Sequence, residues 1–141
     1  MPKNISKNNF VLKIVLLIFV LALALFFFIK YDWTIEKREI KTSFIVSDVT
    51  GFDLNKNELT FGSIKPGSSS SRDLIIQNNF DRKVFVTLTS VGNISNYLIV
   101  SQNDFILGPK EAKNITFTVF SYKNQSFGIY SGKINLFFKR A

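Results

Sequence analysis

The sequence contains neither cysteine nor histidine. The absence of cysteine excludes a disulfide framework, a thiolate metal site, a cysteine nucleophile and a lipid-anchoring cysteine. The absence of histidine excludes histidine-based triads, so acid–base chemistry near neutral pH would need strongly perturbed carboxylates or lysines. The single tryptophan, Trp33, lies outside the β-rich region, which weakens a sugar-stacking site. We therefore expect no enzymatic activity, no cofactor and no metal, and we name no catalytic, cofactor-binding or metal-ligating residue.

Acidic residues are absent from the first 29 positions, which hold three lysines. Residues 10–29 are apolar apart from Lys13, and as a helix they extend about 30 Å, the thickness of a hydrocarbon core. We predict a transmembrane signal anchor at 10–29 after a cytoplasmic arm at 1–9. The Lys13 stem can reach the headgroups, and Tyr31 and Trp33 follow where an interfacial aromatic anchor would lie.

The charges that flank the apolar run predict its orientation. Positive charge without acidic charge before the run favours a cytoplasmic N-terminus, so we expect a single-pass protein of the cell membrane with its remainder outside the cytoplasm. A cleaved secretory signal is an alternative, because the start is basic and Ala22-Leu23-Ala24 offers small residues, although inside the apolar run. A pilin-like filament subunit is another, but no basic-Gly or basic-Ala processing site precedes the run.

Residues 30–41 lack glycine and proline, and we expect them to form a stalk or an extension of the helix. From Thr42 onward, short runs rich in β-branched and aromatic residues are separated by turn residues. About seven to eight such runs without helical periodicity favour an antiparallel β-sandwich over 42–141. The segment Lys65–Arg72 is interpreted as a flexible loop, and Asn78–Asp81 as a turn. Three runs alternate so that one face is apolar: Val84, Val86 and Leu88; Ile115, Phe117 and Val119; Ile134, Leu136 and Phe138.

Several motifs support a family resemblance that covers roughly residues 57–138. They are Leu59-x-Phe61-Gly62-x-Ile64-x-Pro66-Gly67, then Ser71-Arg72-x-Leu74-x-Ile76-x-Asn78, then Phe105-x-Leu107-x-Pro109, and Gly128-x-Tyr130-x-Gly132-x-Ile134-x-Leu136. The pattern resembles immunoglobulin-like domains of sperm-protein-like and related extracellular surface modules, in which a strand ends in asparagine at a turn. The resemblance implies an all-β, immunoglobulin-like sandwich and a non-enzymatic role in adhesion, spacing or assembly.

Three Asn-x-Ser/Thr sequences lie on the side predicted to be outside the cytoplasm. They begin at Asn93, Asn114 and Asn124 and are candidate glycosylation acceptors, although a chain rich in asparagine, serine and threonine produces such matches by chance.

Three of the sixteen phenylalanines alternate opposite to the inward positions of their strands. If Phe85, Phe120 and Phe137 share one sheet face, they form an apolar strip on which a protein partner can bind. The basic residues of this region are interspersed with acidic ones in the sequence, which indicates a solvated surface and no nucleic-acid partner.

These observations predict a membrane-anchored structural or interaction module of the cell envelope, which binds another surface protein or a lattice and takes no small-molecule substrate. The motor-anchoring and wall-anchoring β-sandwich proteins of archaeal envelopes are similar in architecture. The alternative is a secreted carbohydrate-binding or enzymatic β-sandwich released by signal cleavage.

Overall fold

A computed structural model describes residues 5–30, 33–51 and 58–141. It divides the chain into two compact units, with the division between Trp33 and Thr34. Tyr31, the first of the two expected anchor residues, lies outside the described residues, as does the start of the expected arm. The ring of Trp33 makes an edge-to-face contact with that of Phe28, with 6.2 Å between their centroids.

The first unit contains one helix, α1 (Ile5–Lys30). Its stretch from Phe10 to Phe28 is long and apolar enough to cross a membrane, and none of this stretch is buried in the protein. A helix that is apolar on every side needs an apolar environment around it. By length and composition this stretch is a candidate membrane span, and an N-terminal signal sequence has the same properties.

The second unit is mostly β. Its described residues form eight strands and one 3₁₀ turn (Asn93–Tyr97). The strands are β1 (Thr34–Val46), β2 (Leu59–Ile64), β3 (Ser69–Gln77), β4 (Val84–Gly92), β5 (Leu98–Val100), β6 (Phe105–Leu107), β7 (Ala112–Phe120) and β8 (Gly128–Arg140).

The strands form two sheets. The five-stranded sheet has the order β2-β1-β8-β4-β6 and curls into a half-barrel, and the three-stranded sheet has the order β3-β7-β5. β1 and β2 are parallel, and every other pair is antiparallel. Residues of both sheets contribute to one hydrophobic core.

The apolar positions of the three alternating runs are all buried in this core, which confirms their predicted orientation. They lie on β4, β7 and β8, so they cover the inner surface of both sheets. Phe44 and Phe61, from β1 and β2, are also nearly inaccessible. Alternation places every second side chain against the opposite sheet because successive residues of a strand point to opposite faces.

The structure differs from the prediction at residues 34–41. These residues do not form a stalk or a helical extension, because they make up most of β1 and pair with β8 from Thr34 onward. Ile35 and Ile40 pack against the core, while Lys133 of β8 reaches Glu39 across the strands at 3.1 Å. The β domain therefore begins at residue 34, not at 42.

The predicted loop at 65–72 is too long, because β3 begins at Ser69. The serines stay in a strand because their hydroxyls find acceptors on neighbouring strands. Ser70 Oγ donates to the Phe61 carbonyl at 3.1 Å, and the Arg72 guanidinium donates to the Thr60 carbonyl at 3.2 Å. Side chains of β3 thus join its edge to β2 of the other sheet.

Two fragments test the position of the domain boundary. We expect a fragment of residues 34–141 to be soluble, with a β-type circular dichroism spectrum and cooperative urea unfolding. A fragment of 42–141 lacks the first eight residues of β1, which include Ile35 and Ile40. Its free energy of unfolding should therefore be lower by about 2–4 kcal/mol. Equal free energies of unfolding for the two fragments would contradict a domain boundary at residue 34 and favour one at residue 42.

Candidate interaction surfaces

The end of the β domain where β1 begins is held together by Asn78. This side chain is fully buried between the β3–β4 loop and the β6–β7 loop. Its Nδ2 donates to the carbonyls of Arg82 and Gly108 at 2.7 and 2.6 Å, and its Oδ1 accepts the Phe80 N–H at 2.9 Å. The main-chain N–H of Asn78 also donates to the Glu111 carbonyl at 2.8 Å. One amide therefore fixes both loops in place.

Basic side chains gather at this same end, each within two residues of a strand end. They are Arg82, Lys83, Lys110, Lys113, Lys139 and Arg140. Only two acidic residues, Asp81 and Glu111, adjoin them in these loops. Residues 34–141 contain fourteen basic and nine acidic residues, which is an excess of five positive charges. The six basic and two acidic residues of this end account for four of those five charges. We call the end of the domain that carries these six residues the basic end.

Both acidic residues of this end make contacts inside it. Asp81 forms an ion pair with Lys110 at 3.1 Å, and the Lys110 ammonium also donates to the Asn79 carbonyl at 2.7 Å. The Glu111 carboxylate accepts the Gly108 N–H at 2.5 Å. Basic residues that are interspersed with acidic ones in the sequence are therefore brought to one end of the domain by the strand register.

Arg38 closes the core beside the basic end without adding net charge. Its guanidinium donates to both Glu36 carboxylate oxygens, at 2.6 and 3.1 Å, and lies 4.5 Å from the centre of the Phe138 ring. It also donates to the Gln77 carbonyl at 3.3 Å, which links β1 to β3. Hydrogen bonding from Arg38 lowers the pKa of the Glu36 carboxyl, although partial burial opposes this shift. The Glu36 carboxylate is therefore ionised at neutral pH, and its negative charge offsets the positive charge of Arg38.

The opposite end of β1 carries exposed apolar side chains. Ile45 and Ile129 are paired in register on β1 and β8 and are 41% and 67% exposed. Val49 is 73% exposed, and its carbonyl accepts the hydroxyl of Ser63, the β2 partner of Ile45. Phe127, which is 61% exposed, directly precedes β8. We call Ile45, Val49, Phe127 and Ile129 the apolar end patch.

The three phenylalanines expected to form a strip do not share one sheet. Phe85 and Phe137 lie on β4 and β8 of the five-stranded sheet, whereas Phe120 lies on β7 of the other sheet. The ring of Phe120 contacts those of Tyr97 and Tyr122 at centroid distances of 6.2 and 5.6 Å. All three phenylalanines are half-buried. The condition for a shared strip is therefore not met.

The three candidate glycosylation asparagines are exposed. Asn93 begins the 3₁₀ turn, and its Oδ1 accepts the Ser131 N–H at 2.6 Å, which leaves its amide nitrogen outside that bond. Asn114 lies on β7 opposite Ile75 of β3, and Asn124 lies in the β7–β8 loop. Their modification stays a prediction.

A cavity of about 160 Å³ lies between β4, β5, β7 and β8, with Leu88, Phe117 and Ile134 among its walls. Asn103 closes one side, because its amide donates to the Leu88 carbonyl at 2.9 Å and accepts the Leu88 N–H at 2.7 Å. The cavity is smaller than a typical small-molecule site of about 300–1,000 Å³. Among the described residues no group of three or more aspartate, glutamate, cysteine or histidine side chains is placed to hold a metal ion.

Comparison with known proteins adds no relative: no family model, curated protein or solved structure matches this chain.

Sequence reasoning missed both the buried role of Asn78 and the basic end. A sign of Asn78 was present, because the motif ends its strand in asparagine at a turn, a position where a side-chain amide can replace main-chain partners. The apolar end patch had no local sign, since at least 78 positions separate Ile45 and Val49 from Phe127 and Ile129, and the β1–β8 pairing brings the two groups together.

Replacing Asn78 tests its structural role. Asn78→Ala removes the hydrogen-bond partner of the Arg82, Leu107 and Gly108 carbonyls and of the Phe80 N–H, so the free energy of unfolding of the 34–141 fragment should fall by at least about 2 kcal/mol. The exposed neighbour provides the control, because Asn79→Ala should change stability by less than about 0.5 kcal/mol. Urea denaturation measures both variants, and similar values for the two would contradict this role.

Proposed function

We propose that this chain is a single-pass membrane protein with a cytoplasmic N-terminus. In this proposal the β domain is an immunoglobulin-like sandwich that stands outside the cytoplasm and binds another surface protein or a lattice of the envelope. The observation that carries the proposal is the helix from Phe10 to Phe28, which is apolar throughout except for Lys13 and is not buried in the protein.

The division of the chain into two units supports an anchor over a core helix. The second unit has its own hydrophobic core, which contains residues of the two sheets and of the 3₁₀ turn and, among the described residues, none of α1. A membrane is the solvent that such a helix requires, since lipid contact satisfies an apolar surface on all sides. The lysines before the run support the cytoplasmic location of the N-terminus.

The apolar end patch supports a role in binding. Its four members are far more exposed than the core residues of β1 and β8, and they lie near Val46, at the other end of β1 from Thr34. Clustered exposed apolar side chains on a charged domain commonly mark interaction sites. A partner that covers the patch would remove these side chains from water while the anchor keeps the domain at the membrane surface.

The orientation can be measured with single cysteines because the chain has none of its own. We expect Asn124→Cys to react with a membrane-impermeant maleimide in intact cells, and Ser6→Cys to react only after lysis. The reverse pattern would contradict the orientation. Loss of the Ser6→Cys label from the mature protein, with Asn124→Cys recovered in the medium, would favour the secreted alternative.

Site-specific crosslinking tests the binding role of the patch. A photo-crosslinking amino acid at Phe127 should give a defined adduct in cells, because this ring is exposed within the patch. The same amino acid at Ile75, exposed on the three-stranded sheet, should not.

A matched pair of substitutions separates the patch from general surface apolarity. Ile129→Ser, combined with the photo-crosslinking amino acid at position 127, should reduce the yield of the crosslinked adduct about tenfold. Burial of one isoleucine contributes about 1.5–3 kcal/mol to binding. Ile99→Ser, on β5, should leave the adduct unchanged. Equal adducts from both positions, or equal losses with both serine variants, would exclude the patch as the binding surface.

A further inference from the structure

We propose that the basic end of the β domain binds anionic phospholipid headgroups of the membrane in which the chain is anchored. This inference rests on the proposed anchoring of α1. It adds a second contact with the same bilayer, made by loops that belong to the folded domain and not to the helix. The six basic residues supply the charge, and Asn78 holds the loops that carry three of them.

The short covalent link between α1 and β1 limits how far the domain can lie from the helix end. β1 begins at Thr34, only four residues after α1 ends at Lys30. Four residues reach at most about 14 Å even when fully extended. Whatever angle the domain adopts, Thr34 therefore stays within that distance of the helix end, which lies in the headgroup region if Phe10–Phe28 crosses the bilayer.

The register of the strands brings the basic residues to the tethered end of the domain. Thr34 pairs with Lys139, Lys139 pairs with Phe85, and Arg140 pairs with Val84. Arg82 and Lys83 directly precede Val84 in the chain. The β6–β7 loop, which carries Lys110, joins the same end through Asn78. The tether and the basic side chains thus share one end of the domain.

The two ends of the β domain differ in their positive charge. Four of the five excess positive charges of residues 34–141 are found at the basic end, whereas the end with the apolar patch has Lys65 and Lys123 as its exposed basic residues among those described. Anionic headgroups attract basic residues over about one Debye length, roughly 8–10 Å. A tether of at most about 14 Å allows the basic end to come within this distance of the headgroups. An excess of positive charge concentrated at the tethered end favours binding to the lipid surface over binding to a soluble partner.

The test uses the full chain reconstituted in vesicles of phosphatidylcholine, with or without about 30% phosphatidylglycerol. Asn79→Cys carries a fluorophore at the basic end, and Asn124→Cys carries it at the opposite end. A nitroxide on a fraction of the headgroups quenches a fluorophore that approaches them. We expect quenching at position 79 to be at least about twofold greater in the anionic vesicles, to return to the phosphatidylcholine value in about 0.5 M NaCl, and to be unaffected by lipid composition at position 124.

Charge reversal at two positions identifies the residues responsible. Arg82→Glu with Lys83→Glu should abolish the lipid dependence at position 79. Lys65→Glu with Lys123→Glu changes the net charge by the same amount at the other end and should leave it intact. The lipid and salt comparisons use chains with native charges, so they test the proposal even if a reversed variant does not fold.

Flotation of the same vesicles separates this inference from the anchor on which it rests. If the chain fails to float with either vesicle, the anchor is refuted and this inference with it. If the chain floats and quenching at position 79 is the same in both lipids, only the headgroup contact is refuted. A fluorescence change on addition of soluble polyphosphate, without lipid dependence, would assign the basic end to a soluble polyanion and also overturn the proposal.

Discussion

The pairing of β1 with β8 is the interaction on which the rest of the structure depends. Residues 34–46 and 128–139 are matched along almost their whole length, although more than 80 residues separate them in the chain. β2 attaches to the free side of β1, and β4 followed by β6 attaches to the free side of β8. The five-stranded sheet therefore cannot assemble outward from a local hairpin. Such non-local pairing is typical of domains that fold slowly, because the loop must close before its contacts form.

The same pairing sets the chemical difference between the two ends of the domain. β1 starts beside the last residues of β8, which pair in turn with the first residues of β4, so the basic residues of β8 and of the β3–β4 loop converge there. At the other end, the apolar residues Ile45 and Ile129 face each other across the two strands. Neither grouping exists in the sequence, and each is created by antiparallel register. Asn78 then completes the basic end by fixing two loops that otherwise have only a few main-chain contacts.

The sequence predicted those parts of the fold that depend on local periodicity. Alternation on β4, β7 and β8 correctly identified their buried faces, because a strand between core and water repeats every two residues. The first eight residues of β1, 34–41, escaped prediction because the charged side chains of Lys37, Arg38 and Glu39 interrupt any apolar alternation. These charges are compatible with a strand because Arg38 lies on the Phe138 ring and Glu39 meets Lys37 and Lys133.

The candidate surfaces were less accessible to sequence reasoning than the fold. Local alternation indicated that Phe85, Phe120 and Phe137 point away from their inward neighbours, but strand order decides whether they lie on one sheet. That order arises from contacts across the whole domain, and it separates Phe120 from the other two. The serines of β3 show the same limit, because the acceptors that keep Ser70 and Arg72 in an edge strand belong to β2.

The length and direction of β1 have a mechanical consequence. Its thirteen residues extend about 40 Å, from Thr34 next to the anchor segment to Val46 near the apolar end patch. A pull between the membrane and a ligand held at that patch would act along this strand. Antiparallel hydrogen bonds are perpendicular to the strands, so such a load would shear the β1–β8 bonds together instead of opening them one at a time. In the proposed arrangement, the strand that organises the fold would carry the tension between the membrane anchor and a partner bound at the patch.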